Sequence, residues 1–241
     1  MKREMTSSNH APRQPVKEFL RTLHANFGHN AETIGPDACA VLDTIDLNSR
    51  IISEIRTILA AGYCETDGQK KICTELLEEV FTDFSLAMYL CTIGLIVPAR
   101  MSVRRGFELA LATVYMWDLP HEYWGWRNRD QDLSFSAMVT HLNSVGYLEY
   151  LAQLHKVRSV APICDQAKFQ GIYRELSNTV HGKISELPAL SPARFVVDKN
   201  GVEKHLKATA EAQLIIIQLF FGRFQELQPK IEAAFPQIKR V

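Results

Sequence analysis

Three polar residues near position 175 carry side chains suited to phosphate-ester chemistry. Arg174 and His181 are seven residues apart, and Asn178 lies between them. In a helix this spacing is two turns, so the two side chains lie on one face, about 10 Å apart along the axis. An imidazole can take up or release a proton near neutral pH, and a guanidinium matches pairs of phosphate oxygens. Asn178 is placed to bind phosphate or to orient His181.

The segment that carries these residues, 163–182, has the apolar spacing of a helix. Its apolar residues form a narrow stripe that we expect to face the core: Phe169, Ile172, Tyr173, Leu176 and Val180. The three polar residues lie about 120–180° from the centre of that stripe, and Ser177 lies nearer to it. They would therefore face solvent in a monomer, and a second subunit covering this face would create a cleft around them.

A purely structural interpretation of the same residues stays open. Arg174 could be a solvated arginine paired with Glu175 or Asp165. His181 could be a helix-end histidine, because Gly182 is suited to end the helix and a cation is favourable near a helix C-terminus.

The wording YRELSNTVHG at 173–182 resembles the R-x(4–6)-H motif of the HEPN superfamily (higher eukaryote and prokaryote nucleotide-binding domains), in the form seen in bacterial defence-associated members. The segment ARMSVRRGFELALATVYMW at 99–117 is similar to the Arg-then-Glu helix that precedes the motif helix in such families. The resemblance covers residues 70–235. It implies an all-α, HEPN-like antiparallel helical bundle. It also implies a metal-independent endoribonuclease that acts at a homodimer interface and leaves 2′,3′-cyclic phosphate and 5′-hydroxyl ends.

On this resemblance we assign Arg174, His181 and Asn178 as catalytic, and Arg100, Arg104, Arg105 and Ser177 as substrate-binding. The expected partners are RNA, a second copy of the chain and an antitoxin or other defence-system protein, with no cofactor and no metal. A solvated arginine face with an Arg104–Glu108 pair is an equally good interpretation of the upstream helix. The alternative functions are a non-catalytic HEPN-like module that binds RNA, a nucleotide or a protein, and a helical adaptor with a coincidental motif.

The remaining chain is patterned as helices, and we divide it into an N-terminal tail and short helix (1–37) and one helical domain (38–241). The periodicity predicts helices over 38–61, 69–95, 99–118, 133–143, 147–156 and 204–233. Turns or loops are predicted at 66–68 and 119–131, and a small β-hairpin at 194–203 through Asn200–Gly201. The tryptophans and arginines of 119–131 favour a loop anchored in the core over one that stacks on RNA bases.

Composition restricts the classes of protein. The 27 Lys and Arg balance the 27 Asp and Glu, which argues against broad, charge-driven coating of nucleic acid. Residues 1–99 carry 9 basic and 13 acidic groups, whereas 100–183 carry 10 and 8. Five cysteines without CxxC spacing indicate reduced thiols and a cytoplasmic location. The uncharged run 84–99 has 16 residues, fewer than the roughly 20 residues of a membrane span, so no membrane contact is expected.

Overall fold

The computed structural model describes residues 14–128, 132–180 and 199–236. Every regular element in these ranges is helical, which confirms the all-α prediction. The α-helices are α1 Gln14–Glu32, α2 Pro36–Gly62, α3 Asp67–Lys71, α4 Leu77–Thr92, α5 Ile96–Asp118, α6 Pro120–Arg127, α7 Phe135–Leu142, α8 Val145–Leu154, α9 Gln166–Val180, α10 Lys199–Arg223 and α11 Leu227–Ala234. A π-helical turn, Ile72–Leu76, joins α3 to α4.

Helix α5 lies at the centre of the bundle and packs against α4, α7, α9 and α10. Its inward residues, including Val103, Phe107 and Leu111, are buried in the main core cluster. Gly106 permits a close approach to α4, because a Cβ atom there would lie 3.2 Å from the Asp83 Cβ atom. The same helix therefore forms the hydrophobic core and supports α9.

Helix α2 confirms the helix that the apolar periodicity predicts over 38–61. It buries Ile45, Ile52, Ile55 and Leu59 and packs mainly against α10. Pro36 occupies its first turn. Proline is tolerated there because the N–H groups of a first turn make no hydrogen bond within the helix.

The predicted turn at 66–68 is wrong. Thr66 is instead the N-cap of α3: its side chain accepts a hydrogen bond from the Gln69 amide, and the Gln69 side chain accepts one from the Thr66 amide. This capping box turns what looks like a loop into a helix start. The helical chain then continues through the π-helical turn to Thr92.

Residues 120–127 form a helix within the segment 119–131 that we predicted to be a loop, and positions 129–131 lie outside the described residues. Pro120 begins α6, a position that proline tolerates, and Tyr123 on this helix is fully buried. The Arg127 guanidinium binds the Glu75 carboxylate with N–O distances of 2.8 and 2.7 Å. Packing of one aromatic residue thus overrides a composition rich in loop formers.

The structure does not support the predicted hairpin. Asn200 and Gly201 lie in the first turn of α10, and positions 194–198 are outside the described residues. The last helix begins earlier than predicted and is interrupted at Phe224, after which α11 follows. The short helices α7 and α8 lie within two or three residues of their predicted positions.

Helix α1 has few buried residues, and of its side chains Asn30 is the buried one. The Asn30 amide donates a hydrogen bond to the Ile93 carbonyl at 3.0 Å, which ties the helix to the α4–α5 connection. Within the described residues, no helix combines the length and the apolar character needed to cross a bilayer.

Candidate functional site

Helix α9 carries the predicted site residues, and its buried face agrees with the predicted stripe. Asp165 caps its N-terminus: the carboxylate accepts a hydrogen bond from the amide three residues on, at 3.1 Å. Phe169, Ile172 and Leu176 are buried, and the Phe169 ring lies 5.3 Å from the Phe107 ring of α5. This packing fixes the rotation of α9 about its axis and hence the direction of its polar residues.

Arg174 is exposed on the outer side of α9. The structural interpretation pairs it with Asp165 or Glu175, but both carboxylates contact other cations. Asp165 lies 3.8 Å from the Lys168 ammonium, and Glu175 lies 3.9 Å from the Arg100 guanidinium. Among the described ion pairs, neither acid neutralises Arg174, so its positive charge stays at the surface.

Asn178 and Ser177 have different environments although they are adjacent. Asn178 is half-buried, one turn after Arg174. Ser177 is buried, and its hydroxyl donates a hydrogen bond to the Tyr173 carbonyl at 2.6 Å. Ser177 was predicted to bind substrate, whereas its hydroxyl is used inside the helix.

His181 lies outside the described residues, which end at 180 and resume at 199. The predicted pairing of His181 with Arg174 on one face therefore stays a prediction.

Arg104 holds α9 against α5. Its guanidinium donates to the Tyr173 hydroxyl at 2.8 Å and to the Glu108 carboxylate at 3.2 Å, and it lies 4.9 Å from the Tyr173 ring centre. The Tyr173 ring also stacks on Phe135 with centroids 3.9 Å apart. Burial and Glu108 raise the pKa of Tyr173, although Arg104 acts in the opposite direction. Tyr173 is thus a neutral link between the two helices.

Arg100 lies where α5, α9 and α10 meet. Its side chain is only 11% exposed and approaches Glu175 of α9. On the α10 side, burial and the positive charge of Arg100 lower the pKa of His205 to about 4. His205 is 2% exposed, and within the described residues its Nε2 has no hydrogen-bond partner. His205 is therefore neutral near pH 7.

Arg105 is not brought to α9. It binds both oxygens of Asp83 at 2.9 Å and Glu79 at 2.7 Å, which are residues of α4. Burial raises the pKa of Asp83 more than Arg105 lowers it. The three arginines of α5 that we predicted to bind substrate therefore do not lie along one surface. Arg100 and Arg104 contact the inner side of α9, whereas Arg105 joins α5 to α4.

A second polar group was missed by sequence analysis. Arg223 and Asp118 form a two-point ion pair with N–O distances of 2.6 and 2.5 Å, and both side chains are nearly buried. The hydroxyls of Tyr147 and Tyr150 donate to the same carboxylate. Burial alone would lower the pKa of Arg223, but hydrogen bonds to Asp118 and its charge raise it. No local spacing signals this pair, because 105 residues separate the two positions.

The ion pair borders a cleft of about 290 Å³ at the end of α5 that is remote from Arg104. Residues of the α2–α3 connection and of α8 complete its walls, among them Tyr63, Glu65 and His155. Burial and Arg223 lower the pKa of His155. Because Asp118 and Arg223 bind each other at two points, the pair joins the end of α5 to the end of α10 and offers no free acid, base or nucleophile.

In the part of the chain that the structure describes, no three His, Cys, Asp or Glu side chains are grouped closely enough to hold a metal ion. Comparison with family models, curated proteins and solved structures finds no match.

Proposed function

We propose that the protein is a cytoplasmic, metal-independent endoribonuclease of the HEPN type, acting as a toxin or antiviral effector, with Arg174 and His181 as its central residues. The observation that carries the proposal is the environment of Arg174. It is exposed on α9 opposite the buried stripe, and the two carboxylates considered as its partners, Asp165 and Glu175, contact Lys168 and Arg100 instead. An arginine whose charge is left available in this way suits a phosphate ligand.

The chemistry follows from the two side-chain types. His181 takes the proton of the RNA 2′-hydroxyl or gives one to the leaving 5′-oxygen. The 2′-oxygen attacks the adjacent phosphorus, the bond to the 5′-oxygen breaks, and the products are a 2′,3′-cyclic phosphate and a 5′-hydroxyl. Arg174 stabilises the negative charge that develops on the phosphate oxygens. Asn178, one turn after Arg174, orients His181 or binds phosphate.

Two contacts support the role of α9 as a fixed platform. The Arg104–Tyr173 hydrogen bond and the Arg100–Glu175 ion pair both join its inner side to α5. Displacing a catalytic group by about 1 Å lowers the reaction rate strongly, so such a site needs a rigid support. In this proposal Arg100 and Arg104 position α9, whereas Arg174 contacts the substrate.

The proposal includes a homodimer formed through the outer side of α9. In a single chain Arg174 faces open solvent, where water screens its interaction with phosphate. A second copy covering that side excludes water and doubles the number of arginines and histidines. An antitoxin or other defence protein would then bind near the same face.

The test is RNA cleavage in a buffer that contains a metal chelator, with analysis of the product ends. We expect cleavage to continue, to leave 2′,3′-cyclic phosphate and 5′-hydroxyl ends, and to stop when the nucleotide 5′ to the cut is 2′-deoxy. Cleavage of the 2′-deoxy substrate, or cleavage that requires added metal, would contradict the mechanism. Binding of RNA without cleavage would favour the non-catalytic HEPN-like module.

A further inference from the structure

Two cysteines from neighbouring elements lie in contact beside a segment that lines the cleft. Cys64 belongs to the connection between α2 and α3, and Cys73 belongs to the π-helical turn. Their sulfur atoms are 3.7 Å apart. A disulfide requires a distance of about 2.05 Å, so the two atoms need to approach by about 1.7 Å. The two sulfur atoms are already in contact, and the remaining approach comes from rotation of the side chains or from a shift of the connection that carries Cys64.

The two thiols differ in access, which assigns them different parts in an exchange reaction. Cys64 is half-buried, and its thiol donates a weak hydrogen bond to the Leu59 carbonyl at 3.4 Å. Cys73 is fully buried. A dissolved oxidant therefore meets Cys64 first, and Cys73 is placed to react with whatever forms on Cys64.

We propose that Cys64 and Cys73 form an oxidative modification site, at which a low-molecular-weight disulfide converts the two thiols into an intramolecular disulfide. Cys64 thiolate attacks one sulfur of the oxidant, and a mixed disulfide forms as one reduced thiol leaves. The Cys73 sulfur then attacks the Cys64 sulfur, its proton passes to the departing thiolate, and the second reduced thiol is released. Two protein thiols are oxidised and one disulfide oxidant is reduced to two thiols.

The position of the pair gives the modification a structural consequence. Glu65 and Gln69 of the segment between the two cysteines, and Tyr63, which precedes Cys64, line the cleft beside the Asp118–Arg223 pair. A covalent bond from Cys64 to Cys73 closes a short loop around this segment and restricts its opening. Burial, with Cys64 beside it, raises the pKa of the Cys73 thiol, so we expect the second step to be the slow one.

The experiment is titration of the reduced full-length protein with oxidised glutathione, followed by tryptic mass mapping without reduction. Trypsin releases 57–70 with Cys64 and 72–100 with Cys73 and Cys91. We expect these two peptides to be recovered joined, and amides between Tyr63 and Lys71 to exchange more slowly in the oxidised protein. Recovery of 57–70 only as a glutathione adduct, or joined to a Cys39 peptide, would overturn the proposal.

Matched variants identify the second sulfur. Cys91→Ser removes a buried thiol from the same tryptic peptide and should keep the link, whereas Cys73→Ala should abolish it and accumulate the glutathione adduct on Cys64. Cys64→Ser changes a half-buried residue and should remove both products, which keeps the test decisive if Cys73→Ala fails to fold. A link that survives Cys73→Ala would contradict the assignment. Because RNA cleavage is not the readout, this test is independent of the proposed function.

Discussion

Adjacent residues of one type have different partners in this protein, and the partner decides the role. Arg104 and Arg105 are consecutive, so their side chains leave α5 about 100° apart. Arg104 reaches Tyr173 on α9, whereas Arg105 binds Asp83 and Glu79 on α4. The sequence identifies both as cations on a helix, but the helices that flank α5 are set by the tertiary fold. For that reason the sequence alone did not separate the arginines of α5 that contact α9 from the one that contacts α4.

Breaking the buried Asp118–Arg223 pair should cost far more stability than breaking a surface pair. We expect Arg223→Met to lower the free energy of unfolding by about 3–5 kcal/mol, because it leaves the Asp118 carboxylate buried without its cation. Arg50→Ala removes an exposed pair with Asp46 and should cost at most about 1 kcal/mol. Urea denaturation of both variants measures the difference. Equal losses would show that the Asp118–Arg223 pair is not held as described.

His205 should make the protein less stable in mild acid. Its pKa is about 4 in the folded protein, below the value of about 6.5 in an unfolded chain. As the pH falls below about 6.5, the unfolded chain takes up a proton that folded His205 does not, so stability is lost until about pH 4.

Denaturation of the parent and of His205→Leu near pH 7.5 and near pH 4.5 isolates this contribution, which we expect to be about 2–3 kcal/mol. The parent should lose that much more stability on acidification than the variant does. The same loss in both proteins would mean that His205 takes up a proton near pH 4.5 as readily in the folded protein as in the unfolded chain.

At the scale of helices, periodicity predicts the buried faces well and the boundaries less well. The stripe on α9 is confirmed at Phe169, Ile172 and Leu176, because a 3.6-residue repeat of apolar side chains leaves few other solutions. Helix α6 was missed, since its sequence lacks a repeat and it is fixed by burial of Tyr123 and by the Arg127–Glu75 pair. Its stability comes from contacts between distant segments, which local pattern does not report.

The attachment of α9 to α5 should weaken when one hydroxyl is removed. Tyr173→Phe keeps the stacking on Phe135 but loses the acceptor for the Arg104 guanidinium. We expect a loss of about 1 kcal/mol, with amide exchange in α9 faster by about fivefold. Tyr89→Phe alters an exposed hydroxyl on α4 and is the matched control. Unchanged exchange in α9 would show that this contact does not hold the helix.

The whole molecule has no net charge, and its ion pairs decide which cations stay open at the surface. Arg105, Arg127 and Arg223 are each paired with carboxylates, whereas Arg174 is exposed, and Asp165 and Glu175 contact other cations. Composition alone excludes only broad, charge-driven binding. A neutral chain can present a small, directed site, because the distribution of charge matters more than its sum.

RNA binding should therefore depend only modestly on salt. With two to four phosphate contacts in a dimer, we expect the logarithm of the association constant to fall with the logarithm of salt concentration with a slope of about −1 to −3. Fluorescence anisotropy of labelled single-stranded RNA with His181→Ala measures this without cleavage. A slope steeper than about −5 would indicate an extended basic surface that the described residues do not contain.

The most direct test of the proposed function is the rate of RNA cleavage by variants of the α9 face. We expect Arg174→Ala and His181→Ala each to lower kcat/KM by about 10²–10⁴-fold, while circular dichroism shows that they remain helical. Arg50→Ala, which removes an exposed arginine from α2, should cleave at the parent rate. If Arg174→Ala and His181→Ala both cut RNA as fast as the parent, the α9 face is not the catalytic site.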